Sequence, residues 1–189
     1  ITLVNFKLRH ICVFSIKNIM KSKKNLVLLG MMGSGKSTIG LLLSRRLNIK
    51  FIDVDHKIEN EVGMKISDIF MQKGEKYFRN LEEKITLKLL NSSNNVIALG
   101  GGGFINYKIR KEILKNHLSF WLYLNNLTLL DRIKKNNKRP IAVKSSDTEL
   151  IELITKREKI YIKAKFKINC NKLKKIEIVK KIIKLYEYN

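Results

Sequence analysis

Little in this 189-residue chain is suited to covalent or metal cross-linking. Its two cysteines, Cys12 and Cys170, show no CxxC or Cys/His spacing. That excludes a disulfide framework or zinc site of familiar spacing and fits a reducing compartment, so a cytoplasmic location is expected. The three histidines, His10, His56 and His117, form no HxH or HExxH pattern and receive no role. No run approaches the ~18 consecutive apolar residues of a spanning helix, so no membrane association is expected. Proline occurs once, as Pro140. Acidic residues are few: 16 Asp and Glu stand against 39 Lys and Arg, a net charge of +23. Such a charge ordinarily raises nucleic-acid binding. Here the excess is mostly lysine, runs the length of the chain and comes with many Ile and Asn, a bias of nucleotide composition acting on tolerant surface positions. There is no RGG tract, no basic zipper-type helix and no aromatic-interleaved stripe, so no nucleic-acid partner is expected. The charge helps attract anionic substrates, an effect that salt weakens.

What is present centres on residues 26–38, LVLLGMMGSGKST. A short apolar run leads into a glycine-rich turn, and Gly30, Gly35, Lys36 and Ser37 fill the GxxxxGK pattern closed by Ser or Thr, with Gly33 between. Glycines let successive N–H groups point inward at phosphate oxygens, and the N-terminus of the following helix adds unpaired N–H groups and partial positive charge. Lys36 would reach the β- and γ-phosphates, and the Ser37 hydroxyl would ligate Mg²⁺.

Five apolar segments read as strands, at 26–29, 50–54, 96–99, 119–124 and 166–170. Helical periodicity falls between them, at 36–47, 57–73 with a break near Gly63, 75–90 after Gly74, 107–115, 128–135, 148–163 and 176–186. Ser67 is a candidate N-cap for the piece SDIFMQ. Alternation of strand and helix predicts an α/β fold of three layers, α/β/α, around a five-stranded parallel sheet. Ligands then bind beyond the carboxyl ends of the strands. Those ends carry the phosphate loop, Asp53 and Asp55, and the glycines Gly100–Gly103, so these junctions should converge on one cleft. Residues 136–147 lack periodicity and read as a mobile surface loop.

Asp53 and Asp55, two apart, would project to one side of an extended segment. One would hold Mg²⁺ and the other accept a proton from an attacking hydroxyl. Arg79 and Glu82 are three apart on a helix. On spacing alone they form either a surface ion pair or a unit in which Glu82 orients Arg79 toward a carboxylate. The glycine quartet is either a tight turn or a place where backbone approaches a ligand. Arg139 is either one more basic loop residue or a cation delivered to the transferring phosphate.

From about Asn25 to Tyr188 the chain resembles the shikimate kinases, small P-loop enzymes that phosphorylate the 3-hydroxyl of shikimate with ATP. The resemblance rests on GMMGSGKST at 30–38, FIDVD at 51–55, GEKYFRNLEE at 74–83, ALGGGG at 98–103, the Arg139–Pro140 pair and KRxxxY at 156–161, in matching order and separation. It implies a nucleoside monophosphate kinase-like fold with a substrate-binding region at about 54–90 and a mobile lid at about 136–147. It further implies that Gly30, Gly33, Ser34, Gly35, Lys36, Ser37 and Thr38 bind ATP phosphates, and that Ser37 and Asp53 serve Mg²⁺. Asp55 would be the base. Arg79, Glu82, Arg157, Gly100, Gly101 and Gly102 would hold shikimate, Arg132 would lie against adenine, and Arg139 would be the lid arginine, catalytic together with Lys36 and Asp55. ATP and shikimate are the implied partners of a monomeric enzyme of aromatic amino acid biosynthesis. The family usually has proline in the segment after the arginine that matches Arg157, where this chain reads REKIY. Residues 1–24 stand outside the family core as an N-terminal extension, residues 25–189 form the single expected domain, and Met20 is the expected natural start, with a transit peptide as the competing reading. Rival readings are a gluconate or nucleoside monophosphate kinase, a basic nucleic-acid-binding protein with a structural nucleotide, and an inactive regulatory paralogue.

Overall fold

In the computed structural model, residues 24–135 and 146–189 are described. Cys12, His10, Met20, Arg139, Pro140 and the lid segment up to residue 145 lie outside them. Strands β1 (Leu26–Leu29), β2 (Lys50–Asp53), β3 (Asn95–Ala98), β4 (Leu118–Tyr123) and β5 (Phe166–Asn169) form one parallel sheet in the order β2-β3-β1-β4-β5. Helices cover both of its faces, in three layers. The burial of each strand follows its sequence. The runs LVLL and NVIA of β1 and β3 are buried at every position, as central parallel strands covered on both faces must be. The edge strands β2 and β5 instead expose Lys50 and Lys167, whose charge guards an open hydrogen-bonding edge. The Lys167 ammonium lies 3.9 Å from the centre of the Tyr123 ring and 4.5 Å from that of Trp121. Phe120 and Phe166 stack across β4 and β5 with centroids 4.9 Å apart.

Register places the chemistry. Leu28 pairs with Ala98, and Ala98 pairs with Asp53, so β2 and β3 finish in one row and β1 one residue beyond it. Beyond that row come the phosphate loop, the Asp53–Asp55 segment and the glycine turn.

The helices are α1 (Lys36–Leu47), α2 (Val54–Val62), α3 (Ile66–Leu90), α4 (Tyr107–Asn116), α5 (Asn126–Lys134), α6 (Asp147–Tyr161) and α7 (Lys175–Glu187), with a 3₁₀ turn at Gly103–Ile105. Gly40 in α1 brings the helix against β2: a Cβ there would lie within 2.9 Å of Cδ2 of Phe51. Gly63 ends α2 with φ 72°, and Gly74 interrupts α3 with φ 78° and ψ 168°. Ser146 caps α6 in a reciprocal box with Glu149. Asn25 ties the base of the sheet: buried, it donates to the carbonyl oxygens of Leu90 and Ser92, its Oδ1 accepts from the Asn95 N–H, and its own N–H donates to Nδ1 of His117.

Two local expectations change. Asp55 is not in an extended segment; β2 stops at Asp53, whose Oδ1 accepts from the N–H groups of Asp55 and His56 and so caps α2. Ser67 does not cap α3, which begins one residue earlier at Ile66, where Glu59 of α2 accepts the Ile66 N–H at 3.1 Å. The acid from the preceding helix does the work that a local hydroxyl would do.

Candidate active site

The loop between β1 and α1 turns on glycines at positive φ, 144° at Gly30, 79° at Gly33 and 92° at Gly35. Gly35 is the N-cap and offers no side chain, and the first turn of α1 holds no acid. The helix N-terminus therefore keeps its N–H groups and partial positive charge for an anion. Lys36 is buried and its Nζ donates to the carbonyl oxygens of Gly30 and Met31 at 2.8 and 2.9 Å, which holds the ammonium across the loop it follows. Ser37 and Thr38 are exposed at the start of α1. Ser37 Oγ donates to Oδ2 of Asp53 at 2.6 Å. Ser34 Oγ is buried and has no hydrogen-bond partner among the described residues. Arg132 on α5 reaches over the loop, donating from Nη1 to the Gly33 carbonyl oxygen at 3.3 Å.

The second group of side chains gathers on the turn after β3. Arg79 donates from Nη1 to Oε2 of Glu82 at 2.7 Å and from Nε and Nη2 to Oε1 of Glu75 at 3.1 Å. The two acids differ in environment. Glu82 is 2% exposed, whereas the Glu75 side chain is 64% exposed. The spacing pair is thus a partly buried contact on a buried acid, with Glu75 as the surface partner that spacing alone did not single out. Phe78 and Phe70 lie under the guanidinium, 5.1 and 5.9 Å from its carbon. Burial pushes the Glu82 carboxyl above its ordinary range; the Arg79 charge and hydrogen bond oppose this, and the Asp55 charge adds to it. Burial alone would lower Arg79, yet the charges and hydrogen bonds of Glu82 and Glu75 leave it raised. Glu82 Oε1 has no hydrogen-bond partner among the described residues and lies on the Gly100 side.

Arg157 and Tyr161 come from α6. The Tyr161 hydroxyl donates to the Gly101 carbonyl oxygen and lies 3.9 Å from the sulfur of Met31, while Arg157 Nη1 lies 3.7 Å from the same sulfur. Burial pushes the Tyr161 hydroxyl up to about 12, so it remains a donor at neutral pH. Met31 and Tyr161 therefore join the phosphate loop, the glycine turn and α6, a junction that sequence reading missed. Tyr161 was visible only as the end of KRxxxY, and nothing local marks Met31 as its contact.

Asp55, Glu82, Arg79 and Arg157 all approach Gly100–Gly102. The arrangement can hold an anion at the loop and a carboxylated, hydroxylated acceptor at the turn, with carboxylates available to accept hydroxyl protons. Arg139 lies outside the described residues. An open cleft of about 600 Å³ between α2 and α3 is lined by Glu59, Asn60, Lys65, Asp68 and Gln72 among others, and by none of the expected site residues.

The family model described as shikimate kinase matches residues 32–187. A shikimate kinase from Sulfurihydrogenibium sp. is 41% identical over 160 residues, covering 85% of this chain and 96% of its own. Among solved structures, shikimate kinase from Acinetobacter baumannii in complex with shikimate superposes with a TM-score of 0.84 at 29% identity, covering 90% of this chain and 96% of its own. That from Aquifex aeolicus gives 0.76 at 37% identity, covering 86% and 95%. With the match running from the phosphate loop to the last helix, the chain belongs to the shikimate kinase family.

Proposed function

We propose that the cleft beyond the sheet carries out the family reaction through the residues gathered there: transfer of the γ-phosphoryl group of ATP to the 3-hydroxyl of shikimate, giving shikimate 3-phosphate and ADP in aromatic amino acid biosynthesis. The observation that supports this division of labour is the meeting of two sets of groups, the anion-binding loop from Gly30 to Thr38 and the acid–arginine cluster on Gly100–Gly102, joined through Met31 and Tyr161.

On the donor side, backbone N–H groups of the loop cradle the phosphates and Lys36 exchanges its bonds to Gly30 and Met31 for phosphate oxygens. Arg132, exposed above Gly33, packs against adenine, and Arg139 serves as the lid cation. Ser37 and Asp53 bring two oxygens together 2.6 Å apart, a donor pair suited to a hard cation such as Mg²⁺. Among the described residues there is no group of three or more His, Cys, Asp or Glu able to hold a metal. A cation bound there would complete its shell with nucleotide oxygens and water, and would supply neutralisation of phosphate charge.

On the acceptor side, Arg79 and Arg157 fork the shikimate carboxylate, Glu82 keeps Arg79 in place, and Asp55 accepts the proton of the attacking hydroxyl. Positioning and charge neutralisation dominate an in-line transfer, and a base contributes about 10²–10⁴-fold. The same reading makes the enzyme a cytoplasmic monomer; no helix among the described residues is long and apolar enough to cross a membrane. Release of ADP measured with and without shikimate tests the function. Asp55→Asn should then lower turnover far more than it weakens ATP binding, and near-normal kinetics would remove Asp55 from the role of base.

A further inference from the structure

Among the described residues, the glycines at positive φ are Gly30, Gly33, Gly35, Gly63 and Gly74; Gly100, Gly101 and Gly102 are not among them. Alanine therefore suits the backbone of this turn, and its glycines need another reason. The space that a Cβ would occupy supplies one. On Gly102 it would lie 2.5 Å from Nη1 and 2.9 Å from Cζ of Arg79. On Gly100 it would lie 2.5 Å from Oδ1 of Asp55 and 2.6 Å from Oε1 of Glu82, and on Gly101 it would lie 3.2 Å from Nη1 of Arg157. Gly101 and Gly102 each face one acceptor-side guanidinium, and Gly100 faces two carboxylates. Gly103, the next residue, would bring its Cβ no closer than an ordinary 3.5 Å contact with Glu82 Oε1.

We propose that Gly100, Gly101 and Gly102 are positioning residues, a bare backbone template on which the acceptor-binding charges of Asp55, Glu82, Arg157 and Arg79 are set. The inference rests on the acceptor roles proposed above. At Gly101 and Gly102 a Cβ meets the guanidinium ends of Arg157 and Arg79, long side chains that can yield without moving the backbone, so the fold survives while the charges are displaced; at Gly100 it meets the shorter Asp55 and the buried Glu82. A guanidinium fork read by a planar carboxylate tolerates little displacement. The alternative is that the turn is bare to admit substrate directly, in which case a Cβ weakens substrate binding whatever residue occupies position 79.

A double-mutant cycle separates the two. Gly102→Ala should raise the KM for shikimate about 10-fold or more, the scale of a charge-assisted hydrogen bond, while leaving the KM for ATP and the Tm at wild-type values. The same substitution in an Arg79→Ala background should raise it no further. The parallel cycle of Gly101→Ala with Arg157→Ala, where the contact is looser, should show the same non-additivity with a smaller single effect. Equal penalties in both backgrounds, or a Gly102→Ala variant with wild-type kinetics, would overturn the template while the acceptor reading stands. An Arg79→Ala variant with unchanged KM for shikimate would overturn that reading and the template with it.

Discussion

The Ser37 hydroxyl and Oδ2 of Asp53 meet at 2.6 Å, which ties the first turn of α1 to the end of β2. The other oxygen of Asp53 caps α2. One carboxylate thus faces the proposed cation and also fixes the helix that carries Asp55. The two duties separate by substitution. Asp53→Asn retains an oxygen for the cap but loses the charge, so the Mg²⁺ concentration for half-maximal activity should rise with little change in Tm. Asp53→Ala loses both and should in addition cost about 0.5–2 kcal/mol of stability. Equal Mg²⁺ requirements in wild type and Asp53→Asn would remove Asp53 from the cation site.

Glu82 gives a pH dependence whose sign follows from burial. Its carboxyl is held above the ordinary glutamate range, so the folded chain binds this proton more tightly than the unfolded chain. Its contribution to stability is fully present below the ordinary value and is lost as the pH rises through the raised one. The charges set around it are Arg79 and Arg157, which oppose the shift, and Asp55, which adds to it. Glu82→Gln cannot titrate. The Tm of wild type minus that of Glu82→Gln should therefore fall as the pH climbs through that interval. At neutral pH the variant should raise the KM for shikimate about 5- to 10-fold, because a neutral amide holds Arg79 less firmly. A Tm difference that is flat or grows with pH would contradict this account.

Gly40→Ala sets helix propensity against packing. The substitution favours an isolated helix by about 1 kcal/mol. In α1 the new methyl would press into the ring of Phe51, and overpacking of this kind costs about 1–3 kcal/mol. The Tm should fall, and Phe51→Leu in the same chain should recover part of the loss. A raised Tm in Gly40→Ala would show that α1 can move away from β2 freely.

The places where sequence and structure part are those decided by distant neighbours. Strands and helices were readable from periodicity because each is amphipathic or wholly buried in the way its period demands, and the breaks at Gly63 and Gly74 lie where glycine announced them. Asp55 was misplaced because Asp53 is both the last residue of a strand and the cap of a helix, and spacing alone does not distinguish those states. The start of α3 was missed because its cap comes from Glu59 across a turn. For Arg79, both acid partners lie at helical spacing; which of them is buried depends on the packing of α3 over the glycine turn. Spacing left the glycine quartet as a tight turn or a backbone approach to a ligand; that side chains crowd it was not legible, because its neighbours Arg157 and Asp55 come from elements far apart in the chain.

The ten glycines of the chain all lie in the phosphate loop, in α1, at the Gly63 and Gly74 breaks or in the acceptor turn. Replacing any of them adds a Cβ to the chain. Such a replacement leaves two kinds of lesion in this fold. At Gly40 or Gly30 the harm is overt, because the added atom presses on the Phe51 ring or lies 2.8 Å from the Leu122 carbonyl oxygen, and the folded state itself suffers. At Gly102 the added atom lies 2.5 Å from Nη1 of Arg79, the end of a flexible side chain, so on the template proposed above the harm falls on shikimate binding rather than on the folded state.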